Sequence, residues 1–536
     1  MSDIESQRLA AIFQFGGQDI PWLLEHWARH RGDHPFLLWE PKSGRDQRWT
    51  YAQLWTEVRR VAAGLHARGI VKGDRVLIHS DNCPEMVFAW YACATLGAIA
   101  VTTNTASVAD ELAHAAGHAG VRAAITQPRY AAIVSANAGK LDWLVVMREN
   151  SIEDPNGNTS TSIGEPFESL LGDPEKVPAR PREPMLPLGI VYTSGTTSRP
   201  KAVVHTHANL LWAGRIGTYV LNFGPEDTHF AQMPFFHVNA QTWSTAVALG
   251  AGGSVLLLPQ PTINRFWEVV AKHGVTHMSL MPLIERTLAT APIPASQRMK
   301  MFQGGVAPYA FAARAGAQAI AAYGMSETVV HTIHTNAWHV WSPGCLGRPT
   351  PGYEIKLVNQ DTGAICGPGE DGELWVRGIR GVQLFLGYYN NPDANAKAFT
   401  ADGWFKTGDV MQMDADGLIY YRDRDKDRIK VGGENISASE VESVVAQVRG
   451  VSQVAVVSQR DPKLEEVPVV FVVRTADASD EAHLRAAVMA HCEAKLSRFK
   501  RPHAVHFIEA LPLGLLNKVS KVQLRAIAEE RRQSQG

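Results

Sequence analysis

Short apolar runs alternate with segments of helical period from about residue 74 to about residue 330, and no other feature restricts the chain's possible folds so strongly. Asp74-Arg75-Val76-Leu77-Ile78-His79 reads as a strand, Pro84 to about Leu96 as a helix, and Ala98-Ile99-Ala100-Val101 as the next strand. Residues 252–258 and 275–280 read as later strands. Strands that alternate with helices predict a parallel sheet, because a parallel connection has to cross over the sheet face. Ahead of them, Thr50-Tyr51-Ala52-Gln53 forms a capping box, and Leu54, Val58, Val61 and Leu65 set one apolar stripe on the helix it opens. The expected fold class is α/β with doubly wound parallel sheets.

From about residue 341 the pattern changes to short strands, 354–358 and 372–377, divided by Gly/Pro turns, which predicts an antiparallel, barrel-like subdomain over about 341–424. Gly367-Pro368-Gly369-Glu370-Asp371-Gly372 satisfies G-x-G-x-x-G literally, but a strand follows it, so it reads as a hairpin turn and not a dinucleotide site. Arg422-Asp423-Arg424-Asp425-Lys426-Asp427-Arg428 alternates in sign and reads as a solvated connector. Beyond it, Ser437-Ala438-Ser439-Glu440 caps a helix. Strands at 454–457, 469–473 and 504–508 and a helix at 479–496 complete an α+β unit the size of a small domain. Residues 149–183, rich in Asn, Ser, Gly and Pro, read as a surface excursion, and 531–536 as a frayed end.

Charge and cysteine content exclude several classes. Lys plus Arg (52) nearly balances Asp plus Glu (53), so no basic face argues for nucleic acid or an anionic membrane as partner. No apolar run reaches the ~18 residues of a membrane span, and the first residues lack a secretory leader's basic-then-apolar order. The five cysteines (Cys83, Cys93, Cys345, Cys366 and Cys492) are scattered, without metal spacing or a disulfide framework. A reducing, cytoplasmic compartment is expected.

Chemistry concentrates first in residues 188–207. A β-branched run, Gly189-Ile190-Val191-Tyr192, opens into Thr193-Ser194-Gly195-Thr196-Thr197-Ser198, where five hydroxyl side chains surround one glycine, and Arg199-Pro200-Lys201 follows. Small residues let backbone N–H groups approach a ligand, hydroxyls add donors, and Lys201 adds charge, a combination suited to a polyphosphate. The Walker spacing is absent. A Ser/Thr-rich surface loop is the competing reading. The segment resembles the phosphate loop of the adenylate-forming superfamily of acyl- and aryl-CoA synthetases, luciferases and peptide-synthetase adenylation domains. Its T-S-R-P-K version is most similar to that of the crotonobetaine/carnitine-CoA ligases. Ser198 and Ala202 stand where glycine is usual.

Further matches follow in the family's order. Met233-Pro234-Phe235-Phe236-His237-Val238-Asn239 resembles the segment lining the carboxylate end of the acyl pocket. Tyr323-Gly324-Met325-Ser326-Glu327-Thr328 offers a ring that can stack on adenine, a hydroxyl donor, and a carboxylate suited to Mg²⁺. Asp409, in Gly403-Trp404-Phe405-Lys406-Thr407-Gly408-Asp409, matches the ribose-binding Asp, an acceptor-only group for a diol, and Arg424 matches a sugar-contacting Arg. The resemblance also implies a hinge at Lys426, a pantetheine tunnel lined by Gly432 and Gly433, and a catalytic lysine at Lys518, with Lys521 as rival. It thereby implies a large N-terminal adenylation domain over 1–424 and a small mobile domain over 425–536.

The implied activity is ATP-dependent ligation of a small carboxylic acid to coenzyme A, through an acyl-AMP and with release of pyrophosphate. ATP, Mg²⁺ and coenzyme A are the implied cofactors. Lys518, Thr196, Glu327 and His237 are the implied catalytic or carboxylate-end residues. Thr193, Ser194, Gly195, Thr196, Thr197, Lys201, Tyr323, Gly324, Ser326, Asp409, Arg424, Gly432, Gly433 and Lys518 are the implied nucleotide and cofactor contacts, and Glu327 is the implied metal ligand. His237, Val238, Asn239, Trp243, Gly304, Gly305, Met325 and Val330 are the expected pocket walls, with Phe235, Phe236 and Trp243 able to face a quaternary ammonium. An adenylate passed to a carrier protein or other acceptor is the alternative, against which stands the lack of a carrier domain. A homodimer is left open.

Overall fold

The computed structural model describes residues 15–533 apart from 44, 148–161, 194–199, 261, 306, 308, 340, 425–427, 432–433, 463, 479, 497–499 and 514–518. It divides into two compact units: Met1–Ile355 with Val376–Phe405, and Lys356–Trp375 with Lys406–Gly536. The division anticipated after Arg424 thus falls inside the second unit.

The first unit carries two sheets. In one, Gln318–Tyr323, Met301–Gly304, His277–Ser279, Thr228–Ala231, Ser254–Leu257 and Pro35–Trp39 lie side by side and parallel, and Gln47–Thr50 adds an antiparallel edge. In the other, Pro187–Thr193, Ile99–Thr102, Arg75–His79, Ala123–Thr126 and Leu144–Val146 are parallel, and Lys201–Thr206 and Gly387–Tyr388 continue that sheet antiparallel. The sheets are α/β as expected, and their strands are short apolar runs buried on both faces.

Helices cover them for legible reasons. Thr50 caps Tyr51–Ala67 in a complete capping box with Gln53, and Leu54, Val58, Val61 and Leu65 are fully buried. Pro84–Leu96 takes its bounds from Pro84 at the first turn and from Gly97, whose φ of 73° ends it in a left-handed cap. The expected surface excursion is partly core: Phe167 and Leu170 are buried, and the Leu170 carbonyl occupies the place a Cβ on Gly64 would need, at 1.8 Å. Only glycine fits there.

Asp371–Arg377, Trp404–Met413 and Ile419–Arg424, most of whose residues fall in the second unit, form the expected stranded piece. Arg422-Asp423-Arg424, read as connector, completes a strand instead, because it pairs with Trp404–Met413 in the register Asp409↔Arg424. Val451–Asp461 and Glu465–Arg474 make a long antiparallel pair, with Ala504–Phe507 parallel beside it. Ser437 caps Ala438–Val445 as expected, and Asp480 caps Glu481–Lys495. The final helix, Lys521–Gln533, holds Leu524 and Ala528 in the core and includes residues 531–533 of the segment expected to fray; 534–536 lie outside the described residues. No described helix is long and apolar enough to cross a membrane.

Candidate active site

Two of the sequence motifs meet through a tyrosine that the motif reading passed over. Pro187–Thr193 and Lys201–Thr206 pair antiparallel with Thr193 opposite Lys201, so the hydroxyl-rich segment joins neighbouring strand ends. Residues 194–199, which hold Ser194, Gly195, Thr196 and Thr197, lie outside the described residues. Gly387–Tyr388 pairs on the far side of the return strand, Gly387 opposite Val204 and Tyr388 opposite Val203. That register lays the Tyr388 ring under Lys201, whose Nζ sits 4.8 Å from the ring centroid. The Tyr388 hydroxyl in turn donates to Glu327 Oε1 at 2.9 Å. Burial first, and the adjacent Glu327 charge second, raise the Tyr388 pKa, so the phenol stays a donor.

Glu327 is 5% exposed, and its backbone is pinned as well, since Phe385 N–H donates to its carbonyl at 2.8 Å. The neighbouring Ser326 carbonyl accepts from His205 Nε2 at 2.8 Å. His205 is buried, and desolvation pulls its pKa to about 4, which keeps the ring neutral with the proton on Nε2. One return strand therefore supplies Lys201 to the Tyr388 ring and His205 to the Tyr323–Thr328 loop.

The end of that loop is strained. Val329 has φ +67° and ψ −54°, and Val330 N–H reaches back to the Thr328 carbonyl at 2.7 Å, a γ-turn that a β-branched residue rarely adopts. Trp243 Nε1 and Thr242 Oγ1 both donate to the Val329 carbonyl, at 3.1 and 2.6 Å, and hold it there. Gly324 is required beneath them: a Cβ would come within 2.7 Å of Trp243 Cζ2 and 2.6 Å of the Val330 carbonyl. Thr242 and Trp243 belong to a π-helical stretch, Asn239–Thr245, a geometry frequent at functional sites.

His237 precedes that stretch, and its Nδ1 accepts from the Asn239 backbone N–H at 3.2 Å. Val238 and Val330 are buried. Gly304 ends the strand Met301–Gly304, and a Cβ on Gly305 would meet nothing within 4 Å. Of the aromatics considered for a cation, Phe235 packs edge-on against Trp90 at 5.2 Å and Trp243 lies against His331 at 4.3 Å.

In the second unit, Gly408 takes φ +73° and gives its N–H to Glu373 Oε1, while Thr407 Oγ1 donates to the Leu374 carbonyl and accepts from Asp409 N–H. The turn holds Asp409, 4% exposed, directly across the strand pair from Arg424. Lys426, Gly432, Gly433 and Lys518 lie outside the described residues. Tyr388 and His205 were missed because each acts through a pairing distant in sequence. The only local signal was the aromatic Gly387-Tyr388-Tyr389-Asn390-Asn391-Pro392 run.

The AMP-binding enzyme model matches residues 24–389, and the AMP-binding enzyme C-terminal domain matches 440–515. The chain belongs to the AMP-binding enzyme family. Within that family it is 32% identical over 507 residues to a crotonobetaine/carnitine–CoA ligase of Proteus mirabilis, covering 91% of this chain and 95% of the relative. ATP-bound MatB from Rhodopseudomonas palustris superposes with a TM-score of 0.82 at 26% identity, covering 95% of this chain and 99% of that one. O-succinylbenzoate coenzyme A synthetase (MenE) of Bacillus subtilis, in complex with ATP and magnesium ion, gives 0.79 at 25% identity, with 94% and 98% covered. This AMP-binding enzyme is an AMP-forming acid–CoA ligase.

Proposed function

We propose that the protein joins a small organic acid to coenzyme A in two steps on the residues assigned above. The acid's carboxylate oxygen attacks the α-phosphorus of ATP, forming a new P–O bond as the α–β bridge breaks and pyrophosphate leaves. The thiol sulfur of coenzyme A then attacks the adenylate carbonyl; the C–S bond forms, the C–O bond breaks, and AMP departs. The acceptor gains nothing from the protein by covalent chemistry, so positioning and fixed charge carry the rate.

The observation that carries this reading is the Lys201–Tyr388–Glu327 chain, which ties the phosphate-segment lysine to the loop carboxylate. Glu327 fits a magnesium site: it is a hard oxygen donor, nearly buried and held in orientation, of the kind Mg²⁺ takes alongside phosphate oxygens and water. A magnesium ion held there supplies positive charge against the polyphosphate. Lys201, Thr193 and residues 194–197 serve the β- and γ-phosphates. Tyr323, Gly324 and Ser326 serve the adenine and α-phosphate side, and Asp409 and Arg424 the ribose. Lys518 serves the carboxylate and α-phosphate oxygens, Lys426 is the pivot of a domain beginning at residue 425, and Gly432-Gly433 serves the pantetheine. His237 lines the carboxylate end. Five buried cysteines, none in a disulfide, support a reducing, cytoplasmic setting.

The test separates the two steps. Lys518→Ala is expected to lose adenylation by on the order of 10²–10³-fold while still converting pre-made acyl-adenylate and coenzyme A to thioester. If thioester formation falls as far as adenylation, the division of labour is wrong.

A further inference from the structure

This unit holds polar groups for which the two steps above have no use. Ser279 and Gln303 become neighbours through the parallel register of His277–Ser279 with Met301–Gly304. Gln303 Nε2 donates to Ser279 Oγ at 2.9 Å and reaches His229 Nε2 at 3.3 Å. Asn239 Nδ2, from the π-helical stretch, donates to the same Ser279 oxygen at 3.2 Å. With both lone pairs taken, the Ser279 hydroxyl proton points to something other than these two amides.

What remains is unsatisfied. Asn239 Oδ1, Gln303 Oε1 and both ring nitrogens of His331 are buried without a hydrogen-bond partner among the described residues. Gln303 is 2% exposed and His331 0%. His331 lies on Trp243 and within electrostatic reach of His229. Native interiors pair nearly all such atoms, so four in one neighbourhood call for a group that completes them. Two residues beyond Gln303 the chain reaches the surface: Gly305 is exposed, and nothing lies within 4 Å of where its Cβ would stand.

The cluster also lacks charge. Its members are two amides, a hydroxyl and two histidines, and burial holds His229 and His331 neutral, each with its pKa pulled to about 3. Nor do Phe235 and Trp243 form a cage for a quaternary ammonium, since each is already packed on another ring.

We infer that Asn239, Ser279, Gln303 and His331 select an acid that carries, besides its carboxylate, a neutral hydrogen-bonding group, a hydroxyl or an amide. The inference rests on the acid–CoA ligase reading and narrows its substrate class. A hydroxyl or amide donates as well as accepts, which the leftover oxygens require. A hydrocarbon tail would leave the cluster unpaired, and a trimethylammonium would meet no counter-charge in it.

Four acids matched in chain length (unsubstituted, hydroxylated, amide-bearing and trimethylammonium-bearing) are compared on the full chain by acid-dependent pyrophosphate release. The hydroxylated or amide acid is expected to exceed the unsubstituted one at least about tenfold in kcat/KM. Gln303→Leu should collapse that ratio by slowing the substituted acid and sparing the unsubstituted one, and Ser279→Ala, a smaller change, should reduce it in the same direction. A merely structural role would slow all four acids alike. The inference is overturned if the unsubstituted or trimethylammonium acid is equal or better, or if the ratio survives both variants. Release with none of the four, or without any acid, overturns the ligase reading itself.

Discussion

The loop 323–328 and the polar cluster at the ends of His277–Ser279 and Met301–Gly304 lie in one unit, yet they are finished to different degrees. Around the loop most contacts are already made: Tyr388 on Glu327, His205 on Ser326 through Nε2, Phe385 on the Glu327 carbonyl, Trp243 on Val329, with His205 Nδ1 the exception among the described residues. In the cluster, amide oxygens and ring nitrogens are buried without partners among the described residues. The difference teaches where the ligand's own atoms enter. On the proposed reading, the common part of the reaction falls to groups fixed in advance, as preorganised catalysis demands. The variable part is left for the acid to complete.

The sharpest way to break this comparison is at Glu327. Glu327→Gln keeps the Tyr388 contact but removes the charge, and pyrophosphate release is expected to fall on the order of 10²–10³-fold. Circular dichroism would show an unchanged fold. A loss smaller than tenfold would mean the loop is only scaffolding.

Tyr388→Phe makes a finer cut, because the ring stays under Lys201 while the donor to Glu327 goes. A hydrogen bond to a charged group contributes about 1.5–3 kcal/mol, so KM for Mg·ATP should rise roughly ten- to a hundredfold, with the KM for the acid little changed. Magnesium titration of the two enzymes checks it. Equal magnesium dependence would uncouple the phosphate lysine from the carboxylate.

The smallest effect concerns protons at both ends. His205 beside the loop and His229 and His331 in the cluster have folded pKa values of about 4, 3 and 3, lowered from 6.5 by burial. In the unfolded chain they bind protons near pH 6.5, while the folded chain refuses them until about pH 4. Their contribution to stability is thus full above about pH 6.5 and is lost progressively as pH falls toward 4. Unfolding at pH 5 should take up several protons per molecule, and the midpoint in urea should drop between pH 7 and pH 5. Unfolding without proton uptake would place these rings in water.

How much of this was legible follows from the same contrast. Strands such as Arg75–His79 and Pro187–Thr193 show as apolar runs, and the helix Pro84–Leu96 carries its own start and stop, so local order sufficed. Lys201, Tyr323, Glu327 and Asp409 each sit in a short contiguous pattern, which is why a sequence reading singles them out. Tyr388 was not legible, since its role depends on Gly387–Tyr388 adding to a strand nearly two hundred residues earlier. Neither was the polar cluster, because only sheet register sets Ser279 against Gln303. The sign-alternating Arg422-Asp423-Arg424 misled for the converse reason: charge pattern says solvent, but backbone pairing with Trp404–Met413 makes it strand.

The most direct measurement is isotope exchange between labelled pyrophosphate and ATP, run with acid present and coenzyme A withheld. A ligase that forms acyl-AMP first must show exchange that depends on the acid, needs no thiol, and is lost in Glu327→Gln. Exchange that is absent until coenzyme A is added, or that proceeds without any acid, would contradict the account.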